Sequence, residues 1–598
     1  MITLGINAAF HDSAAALAID GAIVAAAEEE RFSRIKHGKR PLPFTAWELP
    51  FNAIDFCLAQ AGITLADLDH VAYSFDPREF LGGRSPEGGV LQLPFQPSLH
   101  AGAAGENPWD ALFAAYVMNA PRQLVDGAPH HLQRRFALPD KTRAPYRWHF
   151  VNHHACHQAS AFLAAPFERC AVMTLDGRGE RATTTYGAWS AAAGYRALGE
   201  VTMPHSLGLL YERVTTHLGF LHSSDEYKVM ALAALGRPEY RSALRDHVHV
   251  AGDGRYAIDP IDMTALFGPP RERGAALLQR HFDLAASLQA VLEESVLKIA
   301  AWLRRASGEP CLAMAGGVAL NCVMNARLRD SGIFEQVWVQ PAAGDAGTAL
   351  GAALWVDAEA RAAKPALAEA ASAPEPAAAP RRWQMEHAYL GPAYDDATIE
   401  RALQWAKLPY TRHASTEALA AATARLLLDN RIVGWFQGRM EFGPRALGAR
   451  SILASPIDPQ MQARLNELKD REDFRPVAPA VPREALADWF APADANGGVS
   501  PFMLFVYDVV PGRAARIPSA CHTDRTARVQ TVDAAHNPRF HALLQAFGAL
   551  SGVPVLVNTS FNVRGEPIVC TPRNAIEAFY STSLDALAIG SFIVEKHP

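Results

Sequence analysis

Short apolar runs that stop abruptly at glycine recur through the first 350 residues, and they constrain this chain most. Residues 2–6 (ITLGI) give way to the polar loop NAAFHDS, and AAALAI leads into Asp20-Gly21. Asp-Gly between two apolar runs predicts a two-residue hairpin, with AIVAAAEEER returning as a strand. AVMTLDG ends at Asp176 and Gly177 and is followed by the Thr-rich TTTYGAW. CLAMAGG ends at Gly316 and Gly317 and passes into VALNCVMNARL, and GDAGTALGAALW is helical beyond its start. Strands that end in glycine loops before helices predict an α/β fold, and such loops turn backbone N–H groups toward phosphate.

At 598 residues the chain exceeds one domain. The stretch 358–381, which contains EARAAKPALAEAASAPEPAAAP, has a linker composition of Ala and Pro. The boundary predicted from it divides a domain over 1–357 from a domain over 384–598, with 358–383 between them. Beyond it HAYLGPAYDD opens a new apolar pattern, a helix is expected over 415–430, and RIVGWFQG reads as a strand. Residues 80–109, rich in Gly and Pro, read as a long surface loop. No short-period repeat is visible, which argues against a solenoid.

Acids outnumber bases by 62 to 56, so the net charge of −6 argues against a general nucleic-acid or membrane-surface coat while leaving room for a local basic groove. Seven scattered cysteines with no C-x-x-C pair argue against a disulfide framework or a zinc knuckle, and favour a reducing cytoplasm. MITLGINAAF lacks the pattern of a secretory signal, and no apolar run is long enough to span a membrane.

Two clusters carry chemistry. In WHFVNHHACHQASAFL, a strand is expected to end near Asn152 and a helix to follow. His153 and His157 then share one helical face and suit one transition metal, with Asp345 as the candidate third ligand. His154 points elsewhere. The second cluster is basic: Arg439, Arg445, Arg450, Arg464, Lys469, Arg471 and Arg475 lie in 438–476, interleaved with Gly438, Gly443 and Gly448. Interleaved glycine makes this a folded anion cradle rather than a charged helix face, since arginine forks match phosphate or carboxylate. HTDRTARVQTV and VNTSFNVRGEP add Arg525, Arg528, Asn558, Ser560 and Asn562.

These motifs together resemble the NodU/CmcH-type O-carbamoyltransferases, which include tobramycin, novobiocin and cephamycin pathway enzymes. The matching segments include GINAAFHDSAAAL, AAAEEERFSRIKH, VNHHACHQASAF, SLGLLYERVT, EYKVMALA, AGGVALNCVMN, GDAGTALGAA, GRMEFGPRALGARSI, LKDREDFRPVAPAV, TARVQTV and PVLVNTSFNVRGEPIV, in order over nearly the whole chain. The resemblance implies an actin-like (ASKHA, TsaD-like) duplicated α/β domain followed by a YrdC-like α/β domain with a twisted mixed sheet. The YrdC pattern K-x-R…S-x-N falls on Lys469, Arg471, Ser560 and Asn562. The family's iron ligands fall on His153, His157 and Asp345. Nucleotide contacts fall on Asp176, Gly177, Glu226, Lys228, Gly316, Gly317 and Asn321. One departure is HSSD before EYKVMALA, where relatives often carry glycine.

The implied activity converts carbamoyl phosphate and ATP, with Mg²⁺, to carbamoyl adenylate and passes the carbamoyl group to a hydroxyl-bearing small molecule. Fe(II) or another divalent transition metal is the implied cofactor, and His11 and Asp12 are the candidate bases. No nucleic-acid or membrane partner is expected, and a homodimer is the default assembly. The competing readings are a hydrogenase-maturation carbamoyltransferase, which needs C-x-x-C fingers absent here, a sugar kinase of the same superfold, and an RNA-binding module.

Overall fold

The computed structural model describes residues 1–38, 49–80, 110–126, 144–368, 381–492 and 498–596. Most of the expected loop 80–109 and the core of the expected linker lie outside these residues.

The hairpin forms as the sequence requires. Strand β1 (Ile2–Asn7) pairs antiparallel with β2 (Ala14–Ile19), and β2 with β3 (Ala22–Glu28). Asp20 (φ 49°) and Gly21 (φ 86°) make the turn, and two positive φ values are what a type I′ turn demands. β4 (His70–Tyr73) and β5 (Arg147–Phe150) extend the sheet in parallel, giving the order β3-β2-β1-β4-β5.

A second sheet repeats this topology. β6 (Arg169–Leu175), β7 (Ala182–Ser190) and β8 (Gly194–Thr202) form an antiparallel meander. β9 (Cys311–Ala315) and β10 (Gln336–Val339) add parallel strands, giving β10-β9-β6-β7-β8. Two five-stranded sheets with one strand order are the duplicated α/β arrangement expected of the N-terminal half.

Five helices matter here: α1 (His153–Phe162), α2 (Glu226–Ala233), α3 (Gln279–Ser307), α4 (Cys322–Asp330) and α5 (Ala346–Ala368). α5 packs on β1, β2 and α1, so it joins the two sheets. Gly351 makes that contact possible, because a Cβ there would meet the Cys156 carbonyl oxygen at 1.8 Å. α5 also corrects the boundary: residues 358–368 are helix, not linker. Alanine is the best helix former as well as a linker residue, and α5 extends through it.

The C-terminal half holds eight strands in one mixed sheet: β11 (Thr411–Arg412), β12 (Val433–Phe436), β13 (Arg450–Ala454), β14 (Ala478–Pro482), β15 (Gln530–Val532), β16 (Leu556–Ser560), β17 (Ala586–Ile589) and β18 (Phe592–Glu595). Their order is β11-β18-β17-β12-β13-β16-β14-β15. Helices α6 (Thr416–Leu428) and α8 (Pro538–Ser551) pack on each other and bury Leu419, Leu427, Phe540, Leu544 and Phe547 with Trp435 of β12. α7 (Met461–Leu468) delivers Lys469 at its C-terminus.

The halves interlock. Glu28 Oε1 accepts from the Gly443 N–H (2.9 Å), and Arg31 donates to both Glu28 and the Gly443 carbonyl. Arg34 donates to the Ile568 and Pro567 carbonyls. Asn325 and Arg329 of α4 donate to the carbonyls of Leu504 and Val506. Among the described residues, no helix is long and apolar enough to cross a membrane.

Candidate functional site

Asn152 caps α1 by accepting from the Ala155 N–H (3.0 Å), which sets the helix start that places His153 and His157 on one face. Both imidazoles are fully buried. His153 Nδ1 lies 3.1 Å from the Ser74 carbonyl, so Nδ1 carries the proton and the Nε2 lone pair faces inward. His153 Nε2 lies 3.7 Å from Asp176 Oδ2 and 3.6 Å from Asp345 Oδ1, and His157 Nε2 lies 3.8 and 3.7 Å from the same atoms. Neither Nε2 has a hydrogen-bond partner.

Donors sharing a tetrahedral ion at about 2.1 Å lie about 3.4 Å apart, so these four residues fit one divalent transition metal. Burial alone would raise the carboxyls of Asp176 and Asp345. The facing imidazoles, joined for Asp345 by His11, hold both below the usual carboxylate range. The sequence supplied three of the four donors. The resemblance marks Asp176 only as a nucleotide contact, since nothing in its spacing ties it to α1.

Asp176 also accepts from the Gly317 N–H (2.8 Å), which draws the two glycine loops of β6 and β9 together beside the metal cluster. Gly177 accepts from the Ser206 hydroxyl, and the Gly316 N–H donates to Ala343. Asn321 instead caps α4 and bonds Gln289 of α3, a structural placement. His154 lies against the Thr185 hydroxyl, and burial pushes its pKa down to about 3.

From the metal cluster a series of contacts leads away. His11 Nε2 lies 3.8 Å from Asp345 Oδ2, and His11 Nδ1 lies 2.9 Å from Asp12 Oδ2. Asp12 Oδ1 lies 2.7 Å from His37 Nδ1, and His37 Nε2 lies 3.1 Å from the Ser224 hydroxyl. Ser224 precedes α2, where Glu226 accepts from the Ser223 N–H. On α2, Lys228 Nζ lies 2.9 Å from Glu472 Oε1 and Tyr227 lies under Arg475, 4.6 Å from ring centroid to guanidinium. The segment just after the HSSD departure thus meets the basic segment of the other half.

In that segment Lys469 donates to the Ser560 hydroxyl (2.9 Å) and Asn562 Oδ1 (2.8 Å), so the K…S-x-N residues meet as expected. Arg471 bonds Asn466, and Arg445 bonds the Leu320 carbonyl at the β9 loop. Burial and mutual repulsion lower these cations. Arg445, beside Arg528, is pushed down to about 9, as is Arg471, beside Arg475 and Arg528. Lys469 is lowered strongly by burial and by Arg471, Arg475 and Lys36. Buried N–H groups of Arg445, Arg471 and Arg528 have no partner. Repelling cations with unused donors suit a polyanion.

Four residues expected in the cradle lie elsewhere. Arg450 is fully buried, stacks on Phe436 at 3.7 Å and donates to the carbonyls of Gln437, Gly438, Ala449 and Pro392. Arg439 donates to Val24 and Gly391 carbonyls and ties the halves together. Asn558 bonds Gln530 inside the sheet, and Arg525 is exposed on the turn before β15. Charge pattern cannot tell a guanidinium that faces a ligand from one that saturates carbonyls.

A family model described as Carbamoyltransferase N-terminus matches residues 2–354, and one described as Carbamoyltransferase C-terminus matches residues 424–596. The chain belongs to the carbamoyltransferase family. This carbamoyltransferase is 39% identical to an uncharacterized protein of Synechocystis sp. over 99% of this chain and 96% of that one. It is 36% identical to nodulation protein NolNO of Sinorhizobium fredii, covering 99% of this chain and 80% of that one. It is 37% identical to nodulation protein NolO of Bradyrhizobium diazoefficiens, covering 75% and 79%. Overlap with solved structures is loose: HypF of T. kodakarensis aligns with 60% of the carbamoyltransferase and 47% of its own chain at 12% identity and a TM-score of 0.34.

Proposed function

We propose that the chain is an ATP-dependent O-carbamoyltransferase acting in two half-reactions, the first in residues 384–598 and the second in 1–357. The observation that carries this is the cluster of mutually repelling cations Lys469, Arg471, Arg475, Arg528 and Arg445, in which buried N–H groups of Arg445, Arg471 and Arg528 have no partner among the described residues. Carbamoyl phosphate and ATP, the latter with Mg²⁺, are both polyanions, and this cluster positions and neutralises them. Carbamoyl phosphate loses phosphate to water, and the carbamate oxygen attacks the ATP α-phosphorus. Carbamoyl adenylate forms and pyrophosphate leaves.

In the second step the glycine loops around Asp176 and Gly317 receive the adenylate. An acceptor hydroxyl attacks the carbamoyl carbon, its proton passes to His11, and AMP leaves. Asp12 orients His11 through Nδ1, leaving Nε2 toward the acceptor side. His153, His157, Asp176 and Asp345 would hold iron(II), which supplies Lewis acidity when bound. A hydrolysable anhydride needs transfer away from bulk water, and the series His11–Asp12–His37–Ser224 and the pair Lys228–Glu472 hold the surroundings of the two sites against each other. The acceptor is a hydroxyl-bearing natural product or sugar, and the unpaired cysteines suit a cytoplasmic enzyme.

The test is whether pyrophosphate release from ATP depends on carbamoyl phosphate, on a sugar, or on neither. Dependence on carbamoyl phosphate is expected. Dependence on a sugar, or on neither, would overturn the reading.

A further inference from the structure

We infer that Lys36, contributed by the N-terminal half, is a phosphate ligand of the carbamoyl phosphate/ATP site, so that the activation pocket is built from both halves of the chain. This rests on the proposed two-step function and adds a residue from outside its C-terminal cradle.

The placement follows from anchors on both sides of Lys36. Two residues earlier, Arg34 donates to the carbonyls of Ile568 (2.6 Å) and Pro567 (2.8 Å). That loop is the one whose Asn562 donates to the Glu566 carbonyl (2.7 Å) while accepting from Lys469 (2.8 Å). One residue later, His37 is held by Asp12 and Ser224. A short turn pinned at both ends therefore holds Lys36 between Ser224 and the loop that carries Asn562, the partner of Lys469. Its positive charge adds to those of Arg471 and Arg475 in depressing the Lys469 ammonium.

Lys36 makes no ion pair or hydrogen bond among the described residues, and carboxylates that pair with the turn's own residues or with the basic segment are committed elsewhere. Glu30 accepts from the His37 N–H and pairs with Arg31, Asp12 is held by His11 and His37, and Glu472 is held by Lys228. An unpaired ammonium brought up to a buried one raises the energy of the unliganded protein. An anion lying between them removes that repulsion, and a phosphate offers the charge and acceptors for both. Lys36 also adjoins His37, the first link in the series toward His11 and the metal cluster, so it stands where the two sites meet.

The test is carbamoyl-phosphate-dependent exchange of labelled pyrophosphate into ATP by the full chain. Lys36→Met should raise KM for carbamoyl phosphate and lower kcat/KM about 10- to 100-fold, the range for a charge-assisted contact. Lys36→Arg should recover most of that loss, and the unliganded Lys36→Met protein should melt no lower than wild type. A purely structural role would instead lower the melting temperature and leave KM unmoved. Should Lys36→Met not fold, Lys36→Gln is measured the same way. Exchange within twofold of wild type in these variants overturns the inference while leaving the two-step reading intact. A wild-type protein with no exchange overturns that reading and the inference with it.

Discussion

Lys228 Nζ lies 2.9 Å from Glu472 Oε1, which pairs an ammonium of the N-terminal half with a carboxylate set among the cations of the C-terminal half. Glu472 also lies 3.8 Å from Arg475 Nη1. It is therefore the carboxylate that neutralises this part of the site when no polyanion is bound, and it ties the two halves together there.

Glu472→Gln is expected to destabilise the unliganded protein by about 1 kcal/mol, the scale of a partly exposed ion pair. Denaturant titration reads the change. Added pyrophosphate should restore the loss, because a ligand bound only by the folded state stabilises it. A variant whose stability is unchanged with and without pyrophosphate would contradict this role.

The four-donor cluster makes a separate prediction. His153→Ala/His157→Ala should leave no iron on elemental analysis, and Asp176→Asn should weaken metal affinity by about 10-fold or more. Asp176 is the discriminating position, since it was legible in the sequence only as a nucleotide contact. Full metal retention in Asp176→Asn would return it to that role alone.

Lys469 gives a pH signature. Its folded pKa is depressed, so between that value and the unfolded pKa near 10.5 the unfolded chain binds more protons and stability rises with pH. Below the folded pKa the full penalty is present. Lys469→Met removes it, so the variant's stability gain over wild type should be largest at low pH and shrink as pH climbs toward 10.5. Unfolding titrations at several pH values measure this difference. A gain that grows with pH would contradict the assignment.

Arg450 and Arg475 should separate by phenotype. Arg450→Met strands three buried carbonyls and should cost about 3 kcal/mol or more of stability. Arg475→Ala should leave stability near wild type and raise KM for ATP or carbamoyl phosphate about 10-fold. Melting curves and steady-state kinetics on both variants distinguish the two roles.

Much of this was legible from local pattern. Asp20-Gly21 specified a type I′ hairpin because few residues accept two positive φ values, and His153 and His157 shared a face because helical periodicity requires it. What escaped was set by long-range packing. Asp176 reaches α1 only because β6 ends beside it, and Gly351 lets α5 deliver Asp345 from nearly 190 residues further along. Arg439 and Arg450 have the same side chain and glycine-rich setting as Arg445, yet only Arg445 lies beside another cation of the cradle, Arg528, a choice fixed by the backbone fold. The Ala-rich start of the expected linker is helix because alanine carries the propensity that lets α5 continue into it.

The most direct measurement supplies purified full-length protein with ¹³C-carbamoyl phosphate, ATP, Mg²⁺, iron(II) and a panel of sugar and small alcohols, and follows nucleotides and products by mass spectrometry. The account predicts one AMP for each labelled urethane formed. Urethane accompanied only by ADP, or formed with no AMP at all, would contradict it.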